Sequence, residues 1–292
     1  MAPWTLETIS LTMPQLGNRR RTVRILLPPR YHCLTDRRYA LLIMQDGHNL
    51  FDPRTSAFGM HWRIRETMES LSAAGKNPRI IIAGVDCNHD RGGLARLDEY
   101  SPWVNDSIEQ EISRARGVDT KAGGEGAAYL AFIADTLLPL LRRRYRTIES
   151  PSATGIAGSS MGALFSLYAL YSRPDLFSVC GAFSPALWFA KKQLAVFVRD
   201  RFRPDLAVYL DIGTRETSDA NKPDFPERYL RDTLELRDEL LELGMPAANL
   251  KFVLEEGADH SEHSWARRFP GFLLWILNRF SMGNDDSPSH RM

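Results

Sequence analysis

At 292 residues and a formal net charge of +1, the chain can bury a large core and carries no bulk positive field for a polyanion. Nucleic acid is therefore not an expected partner, and the basic run at 142–146 reads as the solvated end of a helix that complements its dipole. Three scattered cysteines, Cys33, Cys87 and Cys180, lack metal-ligand spacing; so sparse and odd a set argues against a disulfide framework and fits a reducing compartment. No run approaches the ~18 apolar residues of a membrane span, and the N-terminus lacks a basic segment followed by an apolar one. A soluble, cytoplasmic protein is expected, with Cys180 a buried filler.

The elements alternate along the chain. Residues 5–13 read as a strand and 21–27 as its hairpin partner, closed by Pro28 and Pro29. Further strands follow at 39–45, 79–86, 154–159, 178–183, 206–212 and 250–255. The later ones are nearly continuous in apolar and β-branched residues, as strands covered on both faces are. Helical patterns fill 62–73, 127–144, 162–171, 188–201, 225–243 and 265–280. This order specifies an α/β fold: a mainly parallel eight-stranded sheet with helices on both faces and an antiparallel pair in front. No linker interrupts it, so 1–282 is read as a single domain and the polar stretch 283–292 as a disordered tail.

Gly158-Ser159-Ser160-Met161-Gly162 fits G-x-S-x-G. The pattern alone is weak, but here a strand leads in and a helix leads out. That setting puts a serine on a sharp, strained turn with its hydroxyl above the sheet. The glycines are needed where side chains would strike the neighbouring strand and helix, and Ser159 has them at the wrong offsets. The Met161 amide, at the helix start, is the first expected oxyanion donor.

In such a site the acid and the histidine follow the serine in that order. Of the histidines downstream and outside the tail, His260 lies in the turn past the last strand, whereas His263 falls at the start of the final helix. Glu216, just past strand 206–212, is the expected acid. Asp211 lies within that strand, and Asp219 in the next loop is the alternative. Ser160 would attack an ester carbonyl, His260 would carry the proton, and Glu216 would orient the imidazole. The second oxyanion donor is expected from the loop after strand 39–45, where Gly47 permits close backbone approach to a ligand and the amide of His48 follows it.

These residues resemble the Putative esterase family, which includes enterochelin (iron–siderophore), feruloyl and acetyl esterases and esterase D-type enzymes. The resemblance rests on Asp46-Gly47-His48-Asn49-Leu50-Phe51-Asp52, Arg96-Leu97-Asp98-Glu99-Tyr100-Ser101-Pro102 and Tyr145-Arg146-Thr147. It continues in the serine motif, in Asp211-Ile212-Gly213-Thr214-Arg215-Glu216, and in His260 five residues ahead of Trp265 and eight ahead of Arg268. It implies an α/β-hydrolase fold, a Ser–acid–His triad, and no metal or organic cofactor. Two positions depart from the family: Asp46 stands where many relatives have histidine, and Glu216 where the acid is often aspartate.

The segment between strands 178–183 and 206–212 holds one helix, so no lid domain fits. The long connection 87–125 is left to shape the pocket. Tyr100, Trp103 and Trp188 are candidate substrate-binding residues beside Gly47; the alternative for the tryptophans is that they anchor their loops. Arg96 and Glu99 are read as a structural pair, with a cationic contact to an acidic substrate such as a catecholate as the alternative. The expected activity is hydrolysis of small or medium carboxylic esters. An acyltransferase on the same triad and a non-catalytic binding protein are the competing readings.

Overall fold

The computed structural model describes residues 3–57, 59–76, 78–116 and 121–282. Four strands are buried along their whole length: β3 (Ala40–Gln45), β4 (Ile80–Val85), β5 (Thr154–Ser159) and β6 (Val179–Phe183). β7 (Ala207–Arg215) is buried except at its last two residues. Both faces of these strands are covered, which is why their sequences are apolar without alternation. β1 (Thr5–Met13) and β2 (Arg19–Leu27) form the antiparallel lead pair, and β8 (Leu250–Asp259) closes the far edge. The eight strands lie in the order β1-β2-β4-β3-β5-β6-β7-β8, parallel from β4 onward.

Successive side chains of a strand point to opposite faces, and the core divides accordingly. Leu41, Ile43, Ile81 and Ala83 join one cluster with side chains of α4 (Gly126–Phe132), α5 (Leu138–Arg144), α6 (Met161–Ser172), α7 (Lys191–Asp200) and α8 (Phe225–Glu242). Leu42, Met44, Ile80 and Ile82 join the other, under α1 (Ile64–Ala73) and α9 (Glu262–Met282). Ten of the twelve residues of α6 are buried, as a helix at the centre of such a layer requires.

Several boundaries differ from the sequence reading. The connection 87–125 is not plain loop: it contains α2 (Leu94–Tyr100) and α3 (Asp106–Arg116), short polar helices whose apolar signal is weak. The helix expected at 127–144 is α4 and α5 joined through a π turn (Ile133–Leu137) just ahead of Pro139, which lacks the N–H needed to continue the ladder. The segment 188–201 opens with a 3-10 turn (Leu187–Phe189) before α7. β7 and β8 run past their apolar stretches to Arg215 and Asp259, with a register shift between Gly213 and Arg215. The tail at 283–292 lies outside the described residues. Among them, no helix is long and apolar enough to cross a membrane.

Candidate active site

β5 runs directly into α6 through Ser160, whose φ of 57° and ψ of −122° are strained for a residue with a side chain. The tip of β6 clamps this elbow: Ser160 N donates to the Phe183 carbonyl (2.9 Å), and the Ser160 carbonyl accepts from Ala186 N (3.1 Å). The flanking glycines leave room for the turn. A Cβ on Gly158 would stand 2.8 Å from the backbone of Gly162, and one on Gly162 would stand 2.9 Å from the Gln45 side chain.

Glu216 follows β7 directly and is fully buried. Its Oε2 lies 2.8 Å from His260 Nδ1, which leaves Nε2 without a hydrogen-bond partner among the described residues. Its Oε1 accepts from Gly213 N (2.8 Å) and from the Ser184 hydroxyl (2.5 Å). Ser184 Oγ in turn accepts from Trp265 Nε1 (2.9 Å) and Arg268 Nη2 (3.0 Å). The carboxylate is thus fixed by groups from β6, β7 and α9. The His260 ring is held edge-on to Trp265, with centroids 5.1 Å apart, and tilted against Tyr229 at 4.9 Å. The buried Tyr229 hydroxyl donates to Ser218 Oγ (3.1 Å) and faces the side chains of Trp188 and Ser160.

The other acids and the second histidine are committed elsewhere. Asp211 is buried beneath Ser184, accepting from its amide (3.0 Å), with Arg268 Nε at 3.4 Å. Burial pushes the Asp211 carboxyl up to about 7, against the opposing pull of Arg268. Asp219 accepts from Asn221 N (2.9 Å) within its own turn. His263 is exposed on α9.

Ser160 and His260 line one cavity of about 530 Å³, whose wall also includes His48, His89, Arg96 and Glu262. Burial pushes the Glu262 carboxyl up, while Asn49 Nδ2 donates to it (2.9 Å). Met161 opens α6, and His48 sits in a 3-10 turn (Gly47–Asn49) after β3, the parallel neighbour of β5. Both backbone amides therefore fall in first helical turns, where N–H groups have no partner within the helix. Burial holds the His48 imidazole pKa below its ordinary value. Burial also pushes the Cys87 thiol up, so this wall residue is not a competing nucleophile.

Five expectations about the surroundings need correction. Gly47 does not line the cavity; a Cβ there would stand 2.4 Å from the Gly84 carbonyl, so the glycine is required by packing against β4. Tyr100 is fully buried behind the wall, its hydroxyl accepting from Asp46 N (3.0 Å). Trp103 packs edge-on against Tyr168 and Phe197. Trp188 packs against Phe225 and Tyr229 and lines a neighbouring groove. Arg96 does not pair with Glu99. It grips Asp46 with two 2.8 Å bonds, while Glu99 takes Arg21 at 2.7 and 2.8 Å. Burial alone would raise the Asp46 pKa, but Arg96 outweighs it and the carboxyl is held below its usual range.

Sequence reasoning gave no role to Ser184, Tyr229, Cys87 or His89. It marked Trp265 and Arg268 only by their spacing from His260. These side chains come from distant segments, and no local pattern signals that they meet.

A family model described as Putative esterase matches residues 14–276. The uncharacterized protein YbbA of Bacillus subtilis (strain 168) is 26% identical over 271 residues, 92% of this chain and 97% of its own. The ferri-bacillibactin esterase BesA of the same organism is 24% identical over 189 residues, 64% of this chain and 62% of its own. A solved ferulic acid esterase superposes with a TM-score of 0.67 at 16% identity, covering 96% of this chain and 100% of that one. The chain has the α/β-hydrolase fold and belongs to the Putative esterase family.

Proposed function

We propose that the chain is a serine esterase that forms an acyl-enzyme on Ser160, with His260 as general base and acid and Glu216 as its orienting carboxylate. The observation that carries this reading is the 2.8 Å contact between Glu216 Oε2 and His260 Nδ1, made beside the strained serine in one shared cavity. Engaging Nδ1 fixes the tautomer and directs Nε2 to the proton that Ser160 must lose. The attack breaks the ester C–O bond after a tetrahedral intermediate, whose oxyanion the Met161 and His48 amides would stabilise. His260 returns the proton to the leaving alcohol, and water then reverses the sequence to free the acid.

The substrates are read as small or medium esters, siderophore and ferulic acid esters among them. The names of the relatives support this class, as does a cavity of about 530 Å³. Three unpaired cysteines favour a cytoplasmic setting.

Hydrolysis of p-nitrophenyl acetate by the wild type and by Ser160→Ala tests the reading. A fall of about 10⁴-fold or more in kcat is expected. Turnover that survives the substitution would refute the nucleophile, and acyl transfer to an added alcohol that outruns hydrolysis would favour a transferase.

A further inference from the structure

Beside the serine, the cavity wall carries a second cluster that ester hydrolysis does not use. His48, Cys87 and His89 each offer one donor atom, and the three atoms lie within 4.8 Å of one another. Cys87 Sγ is 3.8 Å from His89 Nε2 and 3.9 Å from its Nδ1. The two imidazoles meet edge to face, with centroids 4.5 Å apart. Topology explains the meeting: His48 follows the tip of β3 and Cys87 the tip of β4, and these strands are parallel neighbours paired to Gln45 and Val85. His89 is two residues further on and exposed, free to adjust its rotamer.

His48 gives the second, independent observation. The residue is only 6% exposed, yet Nδ1 has no hydrogen-bond partner among the described residues. A buried polar atom left unpaired is destabilising and needs an explanation, which a bound cation would supply. The competing use of Cys87 is a contact between its thiol and the Asp46 carboxylate, but that satisfies neither imidazole.

We propose that His48, Cys87 and His89 bind one zinc ion whose fourth coordination position opens into the catalytic cavity. Zinc takes thiolate sulfur at about 2.3 Å and imidazole nitrogen at about 2.0–2.1 Å, so tetrahedral donors stand roughly 3.5 Å apart. The donor separations, at most 4.8 Å, must close by up to about 1.3 Å, which a rotamer adjustment of the exposed His89 can supply. Mixed imidazole and thiolate donors select zinc over magnesium or calcium. On binding, the Cys87 S–H bond breaks, the sulfur pair forms the zinc bond, and the proton passes to buffer. An ion there sits against the His48 turn, where the ester carbonyl oxygen must settle, so occupancy inhibits turnover. This inhibitory consequence rests on the esterase reading; the binding itself does not.

Calorimetric titration with Zn²⁺ separates the two, because it needs no activity. One equivalent per chain is expected in the wild type and in His260→Ala, with affinity falling at least 100-fold in Cys87→Ser and in His89→Ala. Co²⁺ should give a thiolate charge-transfer band that Cys87→Ser abolishes. Saturating Zn²⁺ should lower wild-type p-nitrophenyl acetate turnover at least tenfold, and EDTA should restore it. Wild-type protein without stoichiometric binding, or binding that survives in both His89→Ala and Cys87→Ser, would overturn the site. Loss of binding in His260→Ala would move it to the triad, and turnover unaffected by bound zinc would overturn the inhibition.

Discussion

Glu216 holds one oxygen against the imidazole and the other among neutral and cationic donors, which is how a fully buried carboxylate can keep a fixed direction. Glu216→Gln replaces an acceptor facing Nδ1 with an amide that can present a donor there, so the favoured tautomer is lost. A fall in kcat of about 10²–10⁴-fold is expected, with KM little changed, in steady-state hydrolysis of p-nitrophenyl acetate. Asp219→Ala should stay near wild type in the same assay. Ser184 acts through the acid: Ser184→Ala removes a donor to Glu216 and leaves Trp265 and Arg268 without their shared acceptor. That loss should lower kcat about tenfold to a hundredfold, again with KM held. The convergence of Ser160, Glu216 and His260 was legible in the sequence because each follows directly on a strand, at a place local pattern can mark. The choice between cavity wall and loop anchor stayed open for Trp103 and Trp188 because they look alike in sequence whether they face a cavity or another ring.

The elements around the site are spaced by glycines whose importance differs with what lies nearby. Gly47→Ala would drive a methyl to 2.4 Å from the Gly84 carbonyl, forcing β3 and β4 apart at the tip that carries His48. Chemical denaturation should show a loss of about 1–3 kcal/mol, accompanied by reduced turnover. Gly271 is the contrast: it is exposed on α9, and a Cβ there meets nothing within 4 Å. Gly271→Ala should stabilise by roughly 0.5–1 kcal/mol through helix propensity alone. The elbow was readable because strand, motif and helix are contiguous. α2 and α3 were not, since a short polar helix held by ion pairs such as Arg21–Glu99 announces itself only once its distant partners are in place. The ends of β7 and β8 escaped for a related reason: they are polar and continue the ladder past the apolar runs.

Across the whole molecule, the strand–helix alternation made the sheet predictable. Five strands covered on both faces admit little but a parallel core, whereas its spatial order is set by crossovers that no single segment encodes. Folding also buries Arg268 among Asp211, Glu216 and Glu255, more negative than positive charge. The Asp211 carboxyl, pushed up to about 7 in the fold, titrates near 4 when unfolded. Between those values the folded state holds a proton that the unfolded state has lost, so this group makes stability fall as pH rises through that window. Asp211→Asn removes the titration. Its stability relative to wild type in urea should therefore improve by about 1 kcal/mol or more from pH 4 to pH 7; parallel curves would contradict the assignment. The central claim concerns one hydroxyl out of the whole chain, and the intact mass of the protein after treatment with a fluorophosphonate reads it most directly. One adduct per chain is expected, mapping to the peptide that carries Ser160 and absent from Ser160→Ala. An adduct on another residue, or one that persists in that variant, would contradict it.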